Sequence, residues 1–65
     1  MADSQITKQA LAQALKKLMS VRPLNKISVG DIAAASGLNR QTFYYHFKDK
    51  YELVNWIYYT ETLPY

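Results

Sequence analysis

Hydrophobic residues recur every three or four positions in the first twenty residues of the chain. This spacing places them on one side of a helix, while Lys16 and Lys17 point elsewhere. Pro23 lacks a backbone N–H and restricts the residue before it, so the helix ends ahead of it. The pattern predicts an amphipathic helix over about residues 4–20, with an apolar side made of Ala10, Leu11, Ala14, Leu15 and Leu18.

A second, shorter helix is predicted over about residues 28–35, after a loop that residues 25–27 complete. Ser28 with Asp31 three positions later has the pattern of a capping box, and the acidic side chain also favours the positive end of the helix. Gly37 is suited to the left-handed conformation that stops a helix.

Two further helices follow. Asn39 is a favourable N-cap for a third helix over about residues 40–47. Asp49 and Glu52 repeat the capping pattern and start a fourth helix over about residues 49–62. Its apolar side is expected to carry Leu53, Val54, Ile57 and Tyr58.

The plan contains four helices and no strand, so the predicted fold class is all-α, a small bundle forming one domain over residues 1–65. A chain of 65 residues excludes a multi-lobed enzyme with a deep cleft between domains. It has no cysteine, and therefore neither a disulfide nor a cysteine-based zinc site. Such a small core requires a compact helical bundle, an oligomer or a longer chain. Without an apolar leader or a run of 18 apolar residues, the protein is expected in the cytoplasm.

The basic residues are concentrated in the first part of the chain. The formal net charge is +3; residues 1–50 hold eight Lys and Arg against three Asp, a surplus of +5, and the remainder holds only Glu52 and Glu61, a charge of −2. This surplus is compatible with an anionic partner and equally with a helix surface that keeps the protein soluble.

Residues 29–46 have the form of a helix-turn-helix unit, two short helices joined by a turn that contains glycine. Small or apolar side chains are expected at its internal positions, namely Val29, Ile32, Ala33, Leu38, Phe43 and Phe47. Such packing leaves Arg40, Gln41, Tyr44 and Tyr45 on the outer face of the second of these helices. Arginine can bond guanine O6 and N7 as a fork, and glutamine can do the same with adenine N6 and N7.

Donors suited to phosphate groups surround this face. They are the side chains of Ser28, Thr42, Lys48 and Lys50, together with the free N–H groups at the start of the second helix. The combination favours double-stranded DNA as the partner, with the third helix in a major groove.

The stretch from Ile27 to Leu53 resembles the DNA-binding region of the TetR/AcrR family of bacterial transcription regulators. The specific part is T-F-Y-Y-H-F-x-x-K-x-x-L, which begins at Thr42, and the resemblance covers about residues 7–60. The run from Arg40 to Tyr58 also looks like the subgroup associated with dihydroxyacetone kinase operons. The resemblance implies a homeodomain-like bundle of the TetR N-terminal type.

The resemblance also implies roles for individual residues. Arg40 and Gln41 match base-contacting positions, Thr42 matches one that touches base or phosphate, and Tyr45 occupies a variable position that can add a thymine-methyl or backbone contact. Phosphate-binding positions are matched by Tyr44, Lys50 and, in some members, His46. The sequence departs from the family at Gly30, where some members place a base-reading side chain at the start of the second helix.

For the whole protein, the resemblance implies a one-component regulator. Members of the family form homodimers that bind a palindromic operator, and a small-molecule effector binds a larger helical domain that follows the fourth helix. That effector and dimerisation domain is expected outside this chain.

Other interpretations of the same residues remain open. His46 is expected to pack between helices rather than transfer protons, because neither a nucleophile nor a carboxylate pair accompanies it. Lys50 can instead cap the end of the third helix. An interaction module using a Trp56 and Tyr59 aromatic surface is the alternative function. The sequence indicates no catalytic constellation, metal site or cofactor.

Overall fold

The computed structural model describes the backbone of residues 2–62 and the side chains of residues 5–60. This part of the chain contains helices and no strand, which confirms the all-α prediction. The expected end of the fourth helix at Leu63 and Pro64 lies outside the described residues. The elements, in order, are α1 (Ala2–Met19), a short 3-10 helix (Leu24–Lys26), α2 (Val29–Ala35), α3 (Arg40–His46) and α4 (Lys50–Thr62).

A single hydrophobic core joins all four helices. Each helix contributes at least one side chain that is fully removed from solvent, which is how a chain this short assembles a common core. The largest of these side chains are Leu11 and Leu15 of α1, Ile32 of α2, Phe43 of α3, Leu53 of α4 and, from the loop before α2, Ile27.

Two core residues lie outside the predicted apolar positions, namely Ala12 of α1, which is 3% exposed, and Ile27. The segment expected to be an irregular loop forms a 3-10 helix, closed by hydrogen bonds from the Lys26 N–H to the Pro23 carbonyl (2.9 Å) and from the Ile27 N–H to the Leu24 carbonyl (3.0 Å). Pro23 precedes this turn, where its missing N–H costs nothing. The turn delivers Ile27 into the core with 1% of its surface exposed.

The predicted caps of α2 and α4 both form. The Ser28 hydroxyl accepts from the Asp31 N–H (3.0 Å), and the Asp31 carboxylate accepts from the Ser28 N–H (3.0 Å), which completes the capping box. At α4 the Asp49 carboxylate accepts from the Glu52 N–H (2.8 Å). The Glu52 carboxylate accepts from the N–H of Lys48, one residue earlier than in a capping box.

The outer side of α4 differs from the prediction. Leu53 is buried, and Val54 and Ile57 pack against the core, as expected. Tyr58 was expected on the same side but is 71% exposed, so this assignment is wrong. Tyr58 lies one residue, or about 100°, beyond Ile57, which carries it past the edge of the buried stripe. Within residues 2–62, no helix is long and apolar enough to cross a membrane.

Candidate nucleic-acid interface

A Schellman motif sets the angle between α2 and α3. The Leu38 N–H donates to the Ala33 carbonyl (2.8 Å) and the Gly37 N–H donates to the Ala34 carbonyl (3.1 Å), the two bonds that define this helix ending. Gly37 has a φ of 75°, as predicted from its residue type. Leu38 then packs against the core and closes the turn.

The start of α3 follows at once. Asn39 is the N-cap, and its side-chain oxygen accepts from the Thr42 N–H (2.8 Å). One cap therefore ends α2 and the next begins α3 with only two residues between them. This short connection gives the two helices a defined relative orientation.

Two phenylalanines hold the inner face of α3. Phe43 and Phe47 are 0% and 3% exposed, and their ring centroids lie 5.8 Å apart. Phe47 also meets the Trp56 ring of α4 edge to face at 5.9 Å. These contacts fix the rotation of α3 about its own axis, and hence which side chains point outward.

The outer face of α3 carries the predicted side chains. Arg40 and Gln41 are exposed, Tyr44 is 54% exposed and Tyr45 is 85% exposed. Within the described part of the chain, neither Arg40 nor Gln41 forms a side-chain hydrogen bond or ion pair. Hydrogen-bond donors and acceptors on this face therefore remain available to a ligand.

The phenol rings of this face lean on their neighbours. The Tyr44 ring meets Phe43 edge to face at 5.4 Å, and the Tyr45 ring meets His46 in the same way at 5.3 Å. Asn39, Gln41, Thr42 and Tyr45 line a shallow depression beside them. The phenols are thus partly oriented before any ligand arrives.

The hydroxyl candidates differ in exposure. Ser28 is exposed, and its hydroxyl oxygen accepts from the Asp31 N–H. Thr42 is half-buried in the first turn of α3. Lys48 is exposed between α3 and α4.

Lys50 binds protein atoms as well as facing solvent. Its Nζ donates to the Ile27 carbonyl (2.6 Å) and the Leu24 carbonyl (2.7 Å), and lies 5.5 Å above the Tyr51 ring. These carbonyls belong to the turn before α2. They are not at the end of α3, the helix end that Lys50 could cap according to its sequence position. An ammonium group has three donors, so one N–H remains. The side chain ties the start of α4 to the entrance of α2.

His46 and Trp56 lie beside a different surface. His46 is half-buried on a groove of about 460 Å³ that the side chains of α1 and α4 also line, among them Lys8, Glu52 and Tyr59. The alternative function requires Trp56 and Tyr59 to form an exposed aromatic surface. Tyr59 is 68% exposed, but Trp56 is half-buried because it packs on Phe47.

An ion pair supports the capping box of α2. Arg22 Nη1 lies 3.4 Å from Asp31 Oδ2. The Ser28 backbone and hydroxyl hydrogen bonds, with a smaller contribution from the Arg22 charge, lower the pKa of Asp31 below its ordinary value of 3.8. No cluster of three metal-ligating side chains occurs among the described residues. The Asp31 carboxylate accepts from the Ser28 N–H at the start of α2.

A short helix, a glycine turn and a second helix that presents exposed polar side chains define a helix-turn-helix domain. The profile of the family described as "Bacterial regulatory proteins, tetR family" matches residues 10–57. The chain belongs to this family, whose members regulate transcription by binding DNA and are not enzymes.

Two curated relatives agree with this assignment. The chain is 41% identical over 58 residues to the HTH-type dhaKLM operon transcriptional activator DhaS of Lactococcus lactis subsp. lactis (strain IL1403), which is 89% of this chain and 31% of that protein. It is 37% identical over 51 residues to the HTH-type transcriptional regulator AcrR of Shigella flexneri, 78% of this chain and 24% of that protein. The chain thus spans less than a third of the relatives' length.

Proposed function

We propose that this domain recognises specific sequences of double-stranded DNA by placing α3 in the major groove. The observation that carries the proposal is the outer face of α3, where Arg40 and Gln41 are exposed and have no protein partner among the described residues. Their donors and acceptors match the edges of guanine and adenine in the major groove.

The dimensions of α3 suit this role. Its seven residues form a helix about 10 Å long, and a major groove roughly 12 Å wide admits an α-helix. In helix-turn-helix proteins the first residues of the second helix approach the bases most closely. Arg40 and Gln41 are the first two residues of α3. Thr42 and Tyr45 complete the proposed base-contacting set.

The phosphate contacts are proposed on both sides of α3. Ser28 and Lys48 are exposed, and Lys50 offers the one N–H that its two carbonyl bonds leave. Thr42, Tyr44 and His46 complete the proposed set. Contacts of this kind hold the domain in register and account for a fall in affinity as salt rises.

The regulation of the whole protein is a further part of the proposal. A homodimer would place two copies of α3 in successive major grooves of a palindromic operator, about 34 Å apart. A small-molecule effector would bind outside this domain and alter the distance between the two copies of α3. The regulator would act in the cytoplasm. The likeness to a dhaKLM operon activator over 89% of the chain supports the dihydroxyacetone kinase operon subgroup.

The test uses the ¹⁵N-labelled chain and a duplex obtained by selection from a random-sequence library. We expect chemical-shift changes concentrated between residues 28 and 50, larger with the selected duplex than with a scrambled duplex of the same composition. Equal affinity for the two duplexes would contradict sequence recognition. Chemical-shift changes confined to Tyr59 and its surroundings would mean that DNA binds α4, which would contradict the proposal.

A further inference from the structure

Gly30 lies directly beneath the side chain of Arg40. A Cβ atom built on Gly30 would lie 3.6 Å from Cδ of Arg40 and 3.6 Å from Oγ of Ser28. The aliphatic part of Arg40, the first residue of α3, therefore passes at van der Waals distance from the place where a side chain at position 30, in the first turn of α2, would begin. A side chain introduced at position 30 would therefore touch the principal candidate for base recognition.

The fold provides no reason for a glycine at this position. Among residues 2–62 only Gly37 has a positive φ, so the backbone of Gly30 is accessible to any residue. A distance of 3.6 Å is ordinary van der Waals contact, so an alanine fits without displacing its neighbours. Glycine is also a poorer helix former than alanine. The consequence of the missing side chain lies in the surface that it leaves open.

We propose that Gly30 is a specificity-determining position that acts through Arg40. The inference rests on the proposed function. Without a Cβ on the α2 side, the Arg40 stem has no wall to limit its rotamers, and the guanidinium can reach neighbouring base pairs. Gly30 is a positioning residue in this scheme, since Arg40 makes the base contact.

Two substitutions move Arg40 in opposite senses. Gly30→Ala adds one methyl group in contact with the Arg40 stem and restricts it to the conformer already present. Gly30→Val adds methyl groups that extend past the Cβ into the space of the Arg40 stem and displace the stem. We expect Gly30→Ala to increase discrimination at the base pair read by Arg40 by about threefold, the scale of immobilising one flexible side chain. Gly30→Val should weaken discrimination at the same base pair.

The experiment measures competition binding of the chain to the selected duplex and to duplexes changed at one base pair each. The variants are Gly30→Ala, Gly30→Val, Arg40→Ala and the double variant Gly30→Ala/Arg40→Ala. The effect of Gly30→Ala should fall on the base pair that Arg40→Ala identifies and disappear in the double variant. Thermal unfolding should show that Gly30→Ala folds at least as stably as the parent.

Three results overturn the inference. They are an unchanged preference in Gly30→Ala, a change spread evenly over all base pairs, and a change that persists when Arg40 is absent. If the parent chain itself fails to distinguish the selected duplex from the others, the proposed function fails and the inference falls with it. If the parent discriminates through Arg40 while Gly30→Ala has no effect, only the inference fails.

Discussion

The molecule exposes two pairs of consecutive tyrosines, one pair on α3 and one on α4. Tyr44 and Tyr45 are 54% and 85% exposed, and Tyr58 and Tyr59 are 71% and 68% exposed, so exposure alone does not separate them. The pairs differ in the charges beside them. The α3 pair shares its helix with Arg40, whose guanidinium has no partner among the described residues, whereas the α4 pair lies in the part of the sequence that carries a charge of −2.

This difference is the reason we propose the nucleic-acid interface on α3 and not on α4. A phosphate backbone is attracted to a surface with free cations and repelled by a surface with excess acid, and base edges need hydrogen-bonding groups that the protein does not already use. Tyrosine suits either a protein or a nucleic-acid surface. The charged and hydrogen-bonding groups beside a tyrosine determine which kind of partner it binds.

The largest effect we predict contrasts the inner and outer faces of α3. Phe43→Ala removes a fully buried ring and should lower the free energy of unfolding by about 3–5 kcal/mol, enough to unfold much of a domain this small. Urea denaturation followed by circular dichroism measures the loss. Tyr45→Ala, the matched exposed change, should stay within about 0.5 kcal/mol of the parent. Equal losses in the two variants would mean that α3 is rotated differently.

The second prediction separates the two tyrosine-bearing helices directly. Arg40→Ala should cost about 1–3 kcal/mol of DNA-binding free energy, concentrated at one base pair, because only that base edge loses its forked donor. Fluorescence anisotropy against single-base-pair variants of the selected duplex measures it. Tyr59→Ala on α4 should leave every affinity unchanged. A uniform loss in Arg40→Ala would remove its base-reading assignment.

A third, smaller effect distinguishes two lysines near the α3 to α4 junction. Lys48→Ala and Lys50→Ala should each weaken binding to all duplexes and reduce the salt dependence by about one counterion. Lys50→Ala should also lower stability by about 1–3 kcal/mol, since the Leu24 and Ile27 carbonyls lose their charged donor. Binding at several salt concentrations and urea denaturation test both parts. Unchanged stability in Lys50→Ala would show that these bonds contribute nothing net.

The smallest predicted effect concerns acid. The pKa of Asp31 is lowered in the folded chain, so its carboxylate contributes stability above pH 3.8 that is lost as pH falls through the folded value. Between pH 7 and pH 2, the parent should therefore lose more stability than Asp31→Asn does. Thermal unfolding across this range measures the difference. Parallel curves for the two proteins would show that the capping box and the Arg22 contact leave the pKa unshifted.

Local chemistry predicted the helices better than it predicted their surroundings. Ser28, Asn39 and Gly37 act within three or four residues of themselves, so their caps and turn follow from residue type and spacing. The burial of Phe43 and the exposure of Arg40 follow from the helical period. The half-burial of Trp56 does not follow from the period of α4, because it depends on the contact with Phe47, a residue outside that helix.

The sequence by itself therefore determined the four helices, the caps at the starts of α2, α3 and α4, the turn after α2 and the side chains that α3 turns outward, because each depends on interactions within one or two helical turns. The family also follows from the sequence, through the run that begins at Thr42. Only the tertiary structure decided that Ile27 completes the core, that Lys50 ties α4 to the turn before α2, and that the Arg40 stem passes beside position 30. These contacts join residues 10 to 26 positions apart, and the path of the chain between them decides whether they meet.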